Sequence, residues 1–116
     1  MKAMKKSGRA YYVYIVTNKN RTSLYIGVTN NLQARLAEHW DNRGRFATFA
    51  GRYFCFNLVY YETYDYIHDA INRETEIKKW NREKKEALIK LQNPDWQFLN
   101  EKICGQWPPT HISKRF

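Results

Sequence analysis

Tyr14, Tyr25, Arg35, His39 and Glu74 are the residues of this chain whose types suit work on a phosphate ester. Glu74 is the least ordinary of them. A helix is expected from about Tyr66 to Trp80, with Asp65 as its cap, and its inward stripe reads Ile67, Ala70 with Ile71, Glu74, then Ile77, at steps of three and four. The carboxylate takes a position where leucine is expected. Buried without a partner it would be costly, so it needs a cation, a donor or a metal. Two readings stand: an ion pair to an arginine such as Arg35, or ligation of a hard divalent cation, which prefers oxygen. Arg35 and His39 lie one turn apart and flank the Leu32 and Leu36 stripe of an earlier helix, at the margin of the core. Singly, each has an ordinary explanation: a solvated helix arginine, a histidine favoured at a helix end, tyrosines in a sheet. Together, on a basic chain, they compose a set suited to cleaving a phosphodiester.

The elements that must position them are short. Tyr11-Tyr12-Val13-Tyr14-Ile15-Val16 is β-branched and aromatic, as is Leu24-Tyr25-Ile26-Gly27-Val28. Gly27 weakens its strand and marks a bulge or a close approach of another group. The polar run Thr17 to Ser23 joins the two as a hairpin longer than the tight two-residue kind. Thr29 or Asn30 can cap a helix through Leu32 to His39. Trp40 to Arg52 reads as a basic loop, and Tyr53 to Tyr61, apolar on both faces, as a central strand covered on both sides. Further helices are expected over about Glu83 to Gln92 and, by the spacing of Trp96, Leu99 and Ile103, over Asp95 to Ile103. The order gives an α/β fold: a small three-stranded antiparallel sheet, β-β-α-β-α, flanked by helices and extended by C-terminal helices. One domain is expected over residues 1–116, with its core at about 10–100 and loosely attached ends.

Composition sets the partner class. With 20 Lys+Arg against 11 Asp+Glu, the chain carries +9 over 116 residues, which points to a polyanion, nucleic acid first. No apolar run is long enough to span a bilayer, and the basic start lacks the apolar stretch of a secretory signal. Cys55 and Cys104 form no CxxC pair and no zinc set, and Cys55 reads as a small core residue. A cytoplasmic, reduced monomer is expected.

Tyr12-Val13-Tyr14 and Tyr25-Ile26-Gly27 resemble the two signature strands of the GIY-YIG endonuclease domain, with tyrosine in place of the first glycine and valine in place of the isoleucine. The stretches Gly27 to His39, Ala70 to Lys78, Trp80 to Ile89 and Asn93 to Trp96 resemble its small, UPF0213-like members in the same order. The resemblance covers most of residues 10–100. It implies the β-β-α-β-α fold and a DNA nuclease of weak sequence specificity that uses one Mg²⁺ or Mn²⁺ held by Glu74. It implies Arg35 on the phosphoryl oxygens, Tyr14 activating water with help from a cation or His39, and Tyr25 orienting water or phosphate. Lys19, Arg21, Arg43, Arg45 and Arg52 would hold the nucleic-acid backbone without reading sequence. Asn81, two turns beyond Glu74, is a further candidate. Two alternatives stay open. One is a non-catalytic nucleic-acid-binding module. The other is a nuclease for RNA or for branched or nicked DNA, with Trp40, Phe46 and Phe49 stacking on unpaired bases.

Overall fold

The chain has been analysed as a computed structural model that describes residues 10–109. Its elements are β1 (Tyr11–Thr17), β2 (Leu24–Thr29), α1 (Leu32–Asp41), α2 (Phe49–Arg52), β3 (Asn57–Tyr64), α3 (Ile67–Lys78), α4 (Arg82–Gln92) and α5 (Asn100–Cys104). The strands form one antiparallel sheet in the order β2-β1-β3. The expected fold class holds.

Alternation along β1 divides the core. Val13 and Ile15 pack with Ala70, Ile77 and Ile89 of α3 and α4, whereas Tyr14 and Val16 pack with Leu32, Leu36, Ala50 and Leu58. Residues 13–16 have no exposed surface, so β1 is the central strand. The segment read as central, Tyr53 to Tyr61, is instead the edge strand β3 and begins later, at Asn57. Its apolar character comes from being covered on both faces while lying at an edge. Opposite Ile15 and Val16 the register skips Val59, a bulge in β3.

Caps and turns fix the remaining boundaries. Asn31 caps α1, where Thr29 or Asn30 was expected, because its Oδ1 is the group that accepts the Ala34 N–H at 3.0 Å. Tyr66, one residue after Asp65, stands at the N-cap position of α3, and its side chain makes no cap bond. Of the expected α3 stripe, Ala70 and Ile77 are fully buried but Ile67 and Ile71 are 39% and 43% exposed, which leaves a narrower buried row. In the hairpin loop, Asn18 Oδ1 accepts the N–H groups of Thr22 (2.8 Å) and Ser23 (3.0 Å), the self-bonding turn its composition suggests.

The helix expected over Asp95 to Ile103 forms only from Asn100 onward. Trp96 adopts a left-handed φ of 53°, and Gln97 N–H bonds Asn93 Oδ1 at 3.0 Å, so only α5 is helical. This irregular stretch has a use. Along the outer edge of β3, Gln92 exchanges bonds with Tyr61 N–H and C=O (3.2 and 2.8 Å), and Asn93 donates to Val59 C=O (2.9 Å). Asn100, 1% exposed, accepts from Leu58 N–H (2.7 Å) and donates to Phe56 C=O (2.8 Å). Side-chain amides thus occupy the place of a fourth strand. Trp107 packs edge-on to Trp40 at 5.8 Å, so the chain stays docked beyond Gly105; the rest of the two ends expected to be loose lies outside the described residues. Among the described residues no helix is long and apolar enough to cross a membrane.

Candidate active site

Gly27 lies directly opposite Tyr14 in the β1–β2 register. A Cβ at position 27 would stand 2.5 Å from the Tyr14 hydroxyl and 2.6 Å from its Cζ. Only glycine lets the Tyr14 ring lie across β2, which is the close approach its place in the strand suggested. The ring is fully buried, and its hydroxyl meets His39 Nε2 at 2.8 Å. Tyr25, from β2, places its ring 6.3 Å from that of Tyr14 and 5.4 Å from that of His39. Arg35 and His39 project from α1, which Leu32 and Leu36 anchor to the sheet. The Arg35 guanidinium lies beside the Tyr14 phenol and also pairs with Glu38 at 3.0 Å. Four of the five expected catalytic residues converge.

Three of them, Tyr25, Arg35 and His39, line a cavity of about 170 Å³ together with Glu38, Asn42, Thr48 and Ala50, and Tyr14 lies behind that wall. A larger depression of about 480 Å³, beside Tyr12, Tyr61 and the start of α1, contains no arginine, histidine or carboxylate. The smaller one is the cavity that arginine, histidine and carboxylate side chains line. Glu38, Asn42 and Thr48 were not singled out from the sequence. The signal available for Thr48 was capping: its Oγ1 accepts the Gly51 N–H at 3.0 Å and starts α2.

Burial holds the Tyr14 phenol above the usual tyrosine range, with the neighbouring Arg35 partly opposing it. Burial, and then the Arg35 charge, push His39 down to about 4. Around neutral pH the pair is a neutral phenol on a neutral imidazole.

Glu74 comes from a different element. It lies on α3, its side chain 19% exposed, and its cation is Lys78 at 3.1 Å rather than Arg35. Among the described residues no cluster of three or more His, Cys, Asp or Glu could hold a metal. Asn81 is the N-cap of α4, its Oδ1 accepting the Lys84 N–H at 2.9 Å. Lys19, Arg43, Arg45 and Arg52 are exposed as expected of backbone contacts. Arg21 is exposed too but acts as a strap: it donates twice to the Trp96 carbonyl at 3.2 Å and lies 4.2 Å from the Phe98 ring centre. Trp40 offers no open face, because Arg43 covers it at 3.7 Å while Phe56 and Trp107 pack edge-on to it.

Comparison with known proteins agrees with this geometry. The GIY-YIG catalytic domain matches residues 10–87, and the chain belongs to that family, whose members are nucleases acting on nucleic acids. Within it the chain is similar to UPF0213 proteins. It is 40% identical over 79 residues to one from Staphylococcus haemolyticus, covering 68% of this chain and 93% of that one. It is 40% identical over 78 residues to one from Haloquadratum walsbyi, covering 67% and 84%. Its fold is similar to the solution NMR structure of a UPF0213 protein from Bacillus halodurans, with a TM-score of 0.50 and 28% identity over 79% of this chain and 95% of that one.

Proposed function

We propose that this chain is a divalent-metal-dependent nuclease that hydrolyses DNA phosphodiester bonds with weak sequence specificity, acting in the cytoplasm as a monomer. The observation that carries this reading is the Tyr14–His39 contact of 2.8 Å beside Arg35 at a cavity wall. Burial disfavours a free tyrosinate, so Tyr14 alone is a poor base. The pair is a better one. Substrate entry has to open the wall in front of the buried phenol; as its oxygen then takes a proton from the attacking water, its own proton passes to His39 Nε2, and no tyrosinate has to persist. Gly27 and Leu36 hold the two rings in register for that transfer. Arg35 is placed to exchange its exposed partner Glu38 for phosphoryl oxygens, offsetting charge that grows in the transition state. Tyr25 lines the cavity and orients water or phosphate.

Glu74 fits the metal that the family implies. It is a lone, half-buried carboxylate whose present cation, Lys78, is 50% exposed and displaceable. A hard ion that keeps most of its water, as Mg²⁺ does, needs only one or two such ligands. When bound, the ion would polarise the phosphate and stabilise the leaving oxygen.

The test is a cleavage panel of single-stranded, duplex, nicked and branched DNA and of RNA, each with Mg²⁺, Mn²⁺ or EDTA. Metal-dependent cutting of DNA that Glu74→Ala abolishes is the expected result. Binding without cleavage of any substrate would leave only a nucleic-acid-binding module.

A further inference from the structure

The segment between α1 and β3 carries an unexplained feature. Phe46, Phe49, Tyr53 and Phe54 are four aromatic rings exposed by 69%, 49%, 44% and 49%. They are not on a floppy loop. Gly44 N–H bonds Gly51 C=O at 2.8 Å, Arg45 N–H bonds Asn42 C=O at 3.0 Å, and Phe49 and Tyr53 stack with centroids 4.7 Å apart. A Cβ on Gly51 would stand 2.5 Å from the Arg45 carbonyl oxygen, so this turn is built on close backbone contact.

Phe54 is the sharpest part of the puzzle. After α2, Cys55 N–H bonds Ala50 C=O (2.8 Å) and Phe54 N–H bonds Gly51 C=O (3.2 Å), the double closure that ends helices on a left-handed residue. That position favours glycine, yet phenylalanine occupies it at φ 57°. Its ring is half in solvent, so packing does not account for the strained choice.

Charge and position say what could. From Asn42 to Tyr61 the chain has Arg43, Arg45 and Arg52 and no Asp or Glu. Arg52 lies 5.5 Å from the Phe46 ring centre. The same segment supplies Asn42, Thr48 and Ala50 to the wall of the Tyr25–Arg35–His39 cavity. We propose that these rings form a stacking platform for the bases of a single-stranded nucleic acid leading into that cavity, so that the preferred substrate has unpaired nucleotides beside the scissile phosphate. This rests on the nuclease reading above. A duplex keeps its bases stacked inside and would leave the rings in water, using only the arginines. Unpaired bases cover aromatic faces while their phosphates reach the arginines. A second copy of the chain would set the same three arginines against each other.

The experiment measures binding in EDTA, so that nothing is cut. Fluorescein-labelled oligothymidylate, an abasic strand of equal length and the matching duplex are compared by anisotropy. Oligothymidylate is expected to bind about tenfold or more tightly than either of the others. Phe54→Gly removes one ring and relieves the backbone, so its melting temperature should hold or rise while oligothymidylate affinity drops by about five- to tenfold. Phe46→Ala with Phe49→Ala should lower that affinity further and leave duplex binding within about twofold. Equal binding of the abasic strand overturns the proposal, since charge alone would then suffice. So does unchanged oligothymidylate affinity in the ring variants, including the case in which those variants alter only self-association by sedimentation. The two readings fail separately: ring-dependent binding with no cleavage of any substrate sinks the nuclease, and cleavage with ring-independent binding sinks the platform.

Discussion

Two polar clusters sit on opposite faces of the sheet and use nearly the same residue types. On the α1 face, Tyr25, Arg35 and His39 line a cavity and the buried Tyr14 packs behind them. On the α3 face, Glu62 accepts hydrogen bonds from Tyr60, from Tyr64 (2.7 Å) and from Arg73 Nε and Nη2 (3.0 Å each), and Arg73 also reaches Glu76 at 3.1 Å and lies 5.2 Å from the Trp80 ring centre. The difference is where the anion comes from. In the second cluster the chain provides it, and every partner is saturated, so the result is a strut joining β3 to α3. In the first, the carboxylate that Arg35 meets is the exposed Glu38, a surface pair worth little in water, and a cavity stands where an anion could enter. Tyrosines and an arginine therefore do not make a site; an internal carboxylate decides whether they hold the fold or await a ligand.

Breaking each cluster should give opposite signatures. The largest effect is expected of Glu74→Ala, which should abolish metal-dependent cleavage while circular dichroism and DNA binding stay near wild type. If it unfolds the protein and metal has no effect on the wild type, Glu74 is merely the ion-pair partner of Lys78. Next, Arg35→Ala should lower turnover by about 10²-fold or more with a smaller change in affinity, the mark of a contact that strengthens in the transition state. A loss confined to affinity would make it an anchor. The strut should respond otherwise: Arg73→Ala leaves Glu62 half-buried without its cation and should cost about 2 kcal/mol of stability by denaturant titration. Turnover per folded molecule should hardly move.

Acidity separates the clusters further. An unfolded His39 takes up a proton near 6.5, the folded one only near 4, so between these values the unfolded state binds more protons and acid favours unfolding. Stability should fall by about 1–2 kcal/mol from pH 6.5 to about pH 5, and His39→Gln should flatten that slope. For Glu62, burial alone would raise the carboxyl, but Arg73 and the two phenols outweigh it, so its contribution is lost at lower pH, below 4.5. The smallest effect concerns the loop arginines. Replacing Arg43 and Arg45 by alanine should flatten a duplex salt slope, log K against log[salt], by about two units. No change would move the duplex footprint elsewhere.

The sheet and its helices were legible because hydrophobic periodicity and the β-branched runs are local signals. So was Gly27 as a point of close approach, whereas the grouping of Tyr14, Tyr25, Arg35 and His39 came from their residue types and the family resemblance, because strand register is not written in either run. Glu74 was legible as a misplaced carboxylate but not as the neighbour of Lys78, because a pattern of threes and fours cannot rank the cations around it. The amides of Gln92, Asn93 and Asn100 gave no sign of their role. Nor did Arg21, whose strap to Trp96 joins residues 75 positions apart in the sequence. Such partners are set by tertiary placement, and composition does not carry it. Asp95 to Leu99 misled for a related reason: apolar residues at helical spacing were spent on a left-handed turn at Trp96.

The family match ends at residue 87, whereas the amides that close the edge of β3 stand at positions 92, 93 and 100. The C-terminal stretch thus behaves like a tethered peptide already occupying a binding groove. A chain trimmed to the matched span would keep every residue of the Tyr14 cluster and Glu74, yet present a bare apolar ribbon able to recruit strands from its neighbours. Such a fragment is expected to elute as aggregates in gel filtration, and adding residues 88–109 as a separate peptide should restore the elution volume of the full chain.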